Sequence, residues 1–122
     1  MNKQEIIKWL ERYNIKNYVI NDDLTVDVDG NVIIYNNKLT EIPFQFGKVN
    51  GDFYCYNNQL ISLKGCPKEV NGDFNCCDNQ LTSLEGSPEI IDGNFGCFDN
   101  KLTSLKGCCK IINGNVDCSF ND

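Results

Sequence analysis

The chain has 122 residues, a net charge of −6, eight cysteines and no histidine. That length suits one domain with a modest core. The acidity argues against direct binding to nucleic acid, which needs a basic footprint. The missing histidine removes the commonest general base and any Cys–His or Ser–His pair.

The opening MNKQEIIKWLERY carries charges throughout. It reads neither as a signal peptide nor as a membrane span, so the chain is expected to stay in a reducing cytoplasm. Ile6, Leu10 and Tyr13, with Ile7 and Trp9 beside them, fit one face of a short helix from Lys3 to Tyr13, with Asn2 as its cap. The next stretch, YVINDDLTVDVDG, alternates apolar and polar residues around Asp22 and Asp23, which predicts a hairpin. Asp27 to Asn31 resembles part of a calcium loop, but Thr25 stands at the first acidic place and Asn36 at the closing one, so a turn is expected. Residues 1–29 read as a cap.

From Gly30 the sequence repeats. Copies of 21 residues begin at Gly30, Gly51, Gly72 and Gly93, and a fifth, GNVDCSFND, begins at Gly114. Aligned, they give columns. Val32, Phe53, Phe74, Phe95 and Val116 form one; Ile34, Cys55, Cys76, Cys97 and Cys118 form the next. Leu39, Leu60, Leu81 and Leu102 follow, then Ile42, Leu63, Leu84 and Leu105. A slot that takes isoleucine or cysteine wants a small apolar side chain, and free cysteine behaves as one. No copy can bury its apolar stripe alone, whereas stacked copies share a core.

The unit F-x-C-x-x-N-x-L-x-x-L resembles the leucine-rich repeat in a short, 21-residue form. The phrase GDFxCxxNxLTSLxGCP is also similar to small repeat proteins of bacteriophages and mobile elements. The resemblance covers residues 30–122. It implies a repeat solenoid with a parallel β-sheet on its concave face. The tight return at Lys64-Gly65-Cys66-Pro67 leaves no room for a helix, so the convex side is expected to be extended or turn-like and mostly non-helical, and the helix and hairpin of residues 1–29 cap the solenoid within a single domain. The resemblance also implies that Asn37, Asn58, Asn79, Asn100 and Asn121 turn inward onto backbone groups. The last copy departs from the pattern by stopping halfway. An open strand edge there predicts self-association through Cys118 and Phe120, or a partner that covers it.

The cysteines offer only the adjacent pairs Cys76–Cys77 and Cys108–Cys109 rather than zinc-type spacing. Stacked thiols on neighbouring rungs, about 4.8 Å apart at the backbone, point in parallel and suit disulfides poorly. Packing is therefore expected, with no metal or cofactor; a cysteine-based metal or redox protein is the lesser alternative. Cys77 falls on the outward face and reads as a reactive surface thiol.

Residues alternating with the buried positions define a presented face. It holds five aspartates (Asp52, Asp73, Asp78, Asp99 and Asp117) and the aromatics Tyr35, Tyr54, Tyr56, Phe98 and Phe120. None of the seven lysines between Gly30 and Asp122 falls on it. Aromatic anchors among acids suit a basic protein surface. The expected function is that of a non-enzymatic protein-binding module. By the phage-type resemblance, it would inhibit a host defence nuclease, such as a CRISPR effector, at its nucleic-acid channel. A self-assembling protein, dimerising through the last rung, is the alternative.

Overall fold

The structure, a computed structural model, describes residues 1–35, 37–119 and 121. Helix α1 spans Lys3–Arg12. Asn2 caps it: the Asn2 carboxamide oxygen accepts from the Glu5 amide at 2.9 Å, and a Glu5 carboxylate oxygen accepts from the Asn2 amide at 3.0 Å. This capping box satisfies two amides that the first turn would otherwise leave bare. Ile6 and Leu10, four residues apart on one face, are buried. Trp9 meets Phe44 edge-on at 5.0 Å, so the helix seals the first rung.

Strands β1 (Tyr18–Ile20) and β2 (Val26–Val28) form the expected antiparallel hairpin. Asp23 organises its turn by accepting from the Thr25 hydroxyl at 2.7 Å and the Thr25 amide at 3.1 Å. The hairpin does more than cap. β2 continues as a parallel neighbour of β4 (Phe46–Val49), across a bulge between Val26 and Val28.

Beyond it the chain winds as a β-solenoid with two parallel sheets. One holds β3 (Val32–Ile33), β5 (Phe53–Tyr54), β7 (Phe74–Asn75), β9 (Phe95–Gly96) and β11 (Val116–Asp117). The other runs β1-β2-β4, then β6 (Glu69–Val70), β8 (Ile90–Ile91) and β10 (Ile111–Ile112). Val32, Phe53, Phe74, Phe95 and Val116 pair in register at the 21-residue spacing. The far side, expected to be extended or turn-like, is thus a second ladder, and it buries Val49, Val70 and Ile91.

Alternation does the sorting. Phe53 and Cys55 point inward while Tyr54 between them faces out. The Phe53 and Phe74 rings stack at 5.6 Å, and Leu60, Leu63, Leu81 and Leu84 complete the core. All eight cysteines are free, and Cys55, Cys66, Cys76 and Cys97 are fully buried among these side chains. The return turns need glycine. Gly65 has φ +94°, and a Cβ on it would lie 2.6 Å from the Phe44 carbonyl oxygen.

The asparagines form an internal ladder. The Asn58 carboxamide nitrogen donates to the Ile34 carbonyl oxygen at 2.6 Å, and its oxygen accepts from the Asn37 and Leu39 amides at 3.1 Å. Asn79 and Asn100 repeat the pattern, and Asn121 reaches back to the Cys97 carbonyl at 3.1 Å. Asn37, expected to join them, is exposed and donates instead to the Tyr35 carbonyl. It belongs to the first rung of its sheet, where no preceding strand offers a carbonyl.

Candidate functional site

The outer surface of the five-stranded sheet gathers most of the residues singled out in the sequence. Its first outward column is Asn31, Asp52, Asp73, Asn94 and Asn115. The side-chain oxygen of each of the first four accepts from the amide of the next rung's column member: Asp52 to Asn31 at 2.8 Å, Asp73 to Asp52 at 2.8 Å, Asn94 to Asp73 at 2.7 Å and Asn115 to Asn94 at 2.8 Å. Asparagine and aspartate serve this ladder equally, because only one carbonyl-type oxygen is used.

The next columns carry the aromatics. Tyr35 and Tyr56 stack with ring centroids 5.0 Å apart and planes 4° from parallel, and Tyr54 meets Tyr56 edge-on at 6.0 Å. The Tyr54 hydroxyl donates to Asp52 at 3.4 Å. Burial, followed by the charges of Asp52 and Asp73, pushes the Tyr54 phenol above its ordinary value. Asp117 is held below the usual carboxylate range by the Ser119 hydroxyl, at 2.7 Å, and then by the Ser119 amide, at 3.1 Å.

Asp78 and Asp99 are placed differently from the other acids. With Asn57 they sit just past the strands at φ 55–58°, in the left-handed region. Aspartate and asparagine are enriched there because the conformation demands short polar side chains or glycine. Their residue type answers a turn as much as a partner, and they form the rim of the face.

Cys77 is a correction. Although its position is on the outward side, it is only 2 % exposed, because Gly96 on the neighbouring rung leaves space that the thiol fills. A Cβ on Gly96 would lie 2.9 Å from the Cys77 sulfur. Burial pushes this thiol up to about 12, so it is not a reactive surface group. Cys118 is exposed. Phe120, assigned with it to self-association, lies outside the described residues.

Two concavities flank these features. A groove of about 340 Å³ runs over Gly96, with Tyr54, Asp73, Asn75, Phe98 and Asp117 around it, bringing four of the predicted partner-binding residues together. The other, about 430 Å³, opens at the return turn of the first repeat between Ile42, Phe44, Ile61 and Lys64. Sequence reasoning passed over it, yet a signal was present: Pro43-Phe44-Gln45 replaces the glycine turn of later copies. All seven lysines of the repeats are exposed and lie off the five-stranded face; Lys48 pairs with Glu69 at 3.8 Å on the other sheet.

Among the described residues, no three Cys, Asp or Glu side chains are placed to hold a metal ion, and no helix is long and apolar enough to cross a membrane. No protein-family model, curated protein or solved structure matches the chain.

Proposed function

We propose that the protein acts by presenting a surface rather than by catalysis, docking the acidic, aromatic face of its five-stranded sheet onto a basic protein surface. The observation that carries this reading is charge segregation: Asp52, Asp73 and Asp117 lie beside Tyr35, Tyr54, Tyr56 and Phe98, and every repeat lysine lies elsewhere. Opposite charge steers the encounter, and tyrosines anchor it at low entropic cost. A nucleic-acid-binding protein offers the complementary basic surface, and the phage-type repeat phrase favours a host defence nuclease as the target.

Affinity capture from nuclease-treated bacterial lysate tests this, with native chain and a Tyr54→Ala/Tyr56→Ala/Asp73→Asn variant compared side by side. Recovery of one basic protein by the native chain alone, released by salt, is the expected result. Equal recovery by the folded variant would move the binding site off this face.

A second reading rests on the last described rung. Leu105, Ile111 and Val116 are 49 %, 48 % and 45 % exposed, and β10 and β11 are edge strands. A second copy of the chain pairing along these edges would cover them. Sedimentation of the native chain and Val116→Lys would separate a dimer from a monomer.

A further inference from the structure

We infer that the groove over Gly96 is a socket for one arginine side chain of the protein partner, an assignment that rests on the surface-docking reading above. The outward column through this point reads Ile33, Tyr54, Asn75, Gly96 and Asp117, so the rung next to the sheet's edge strand has no side chain there. Its backbone does not demand glycine, since Gly96 lies in strand β9 outside the left-handed region. Glycine inside a strand weakens it and marks a place of close approach, met on one side here by the Cys77 sulfur, 2.9 Å from where a Cβ would lie. The Cys77 thiol takes the space next to a Cβ at this position, and the groove bordering Gly96 is a separate volume near the lower end of ligand-sized cavities at roughly 300 Å³.

The lining specifies the occupant. Tyr54 and Phe98 line it with aromatic rings, the kind of surface on which a planar cation stacks, and Asp73 and Asp117 line it with carboxylates that each keep one oxygen outside the bonds to Asn94 and Ser119. No lysine or arginine lines the groove to compensate them. A guanidinium suits this set better than an ammonium, because it stacks on rings through its plane while its edge donates to carboxylates. The Asp73 charge is also surplus to the fold, since Asn31 and Asn94 do the same ladder work uncharged.

The test is amide-shift titration of the isotope-labelled full chain with N-acetyl-arginine methylamide, alongside the citrulline and lysine analogues. The expected result is saturating shifts centred on Asn75, Gly96, Phe98 and Asp117 with the arginine probe, and weaker binding of both analogues. Gly96→Val, which fills the groove, should weaken the arginine probe about tenfold or more. Asp73→Asn with Asp117→Asn, which keeps the shape, should do likewise, so the result does not depend on one variant folding. Diffuse, non-saturating shifts, equal binding of citrulline or lysine, or indifference to both variants would overturn the socket. Capture of the basic partner by Gly96→Val as strongly as by native chain would remove the socket and leave the docking face standing. Loss of capture by the native chain itself would remove both.

Discussion

The side chain of Asn79 donates a hydrogen bond to the carbonyl oxygen of Cys55, 24 residues earlier and one rung away, at 3.1 Å. Its oxygen accepts from the Leu60 amide at 3.0 Å, and its nitrogen also reaches the Cys76 and Cys77 carbonyls. Asn79 is buried, so its loss strands backbone groups of two rungs in a dry interior. Each such group costs about 1–3 kcal/mol. Asn79→Ala should lower the stability measured by urea denaturation by about 3 kcal/mol or more, and Asn79→Asp, which cannot donate when ionised, should also be destabilised.

The outer ladder predicts the opposite response. Asp73 uses one oxygen to accept from the Asn94 amide, as Asn31 and Asn94 do on other rungs. Asp73→Asn should leave the unfolding free energy from urea denaturation unchanged within about 0.5 kcal/mol. Its effect should appear only in binding, as slower association with a basic partner and a shallower dependence on salt.

Asp78 separates turn from interface. At φ 55° it occupies a conformation that costs ordinary L-residues about 1–2 kcal/mol. Asp78→Val should therefore destabilise by about that amount, whereas Asp78→Gly should be tolerated. A glycine variant that folds but binds the partner more weakly would assign the carboxylate to recognition; unchanged binding would assign it to the turn.

Alkali should weaken the fold. Burial pushes Cys77 and Cys97 up to about 12 and Cys109 up to about 11, from an ordinary 9.0, and raises Cys66 and Cys76 as well. Above pH 9 the unfolded chain sheds these protons while the folded chain keeps them. The unfolded state then binds fewer protons, so stability falls as pH rises from about 9 toward 12. Urea midpoints across that range check this, and Cys77→Ala should flatten the decline. Native-state thiol labelling at neutral pH should modify exposed Cys118 first.

The sequence made the repeat legible because each column recurs at a fixed 21-residue spacing, and a stacked rung must place Phe53, Phe74 and Phe95 over one another. The helix was legible to within a residue, since Ile6 and Leu10 lie four apart behind Asn2. What could not be read were relations between neighbouring rungs. Cys77 alternates outward like Tyr56 and Phe98, and only the glycine diagonal to it, on the next rung, lets it sink. Asn37 has the same motif position as Asn58 but lacks a strand to reach back to. The second sheet was obscured because Glu69–Val70 and Ile90–Ile91 are two residues long, too short for alternation to register.

Because the asparagine ladder ties each rung only to its immediate neighbours, at the same offset every time, the molecule is a ruler graduated in 21-residue divisions. Excising residues 72–92 would rejoin rungs that present the same bonding partners, shortening the sheet by about 4.8 Å and its docking face by one line of side chains. Removing any other number of residues within that span would break the count. Length, and with it the footprint on a partner, is thus quantised: it changes by whole graduations while the internal bonding of the remaining ones is unaltered.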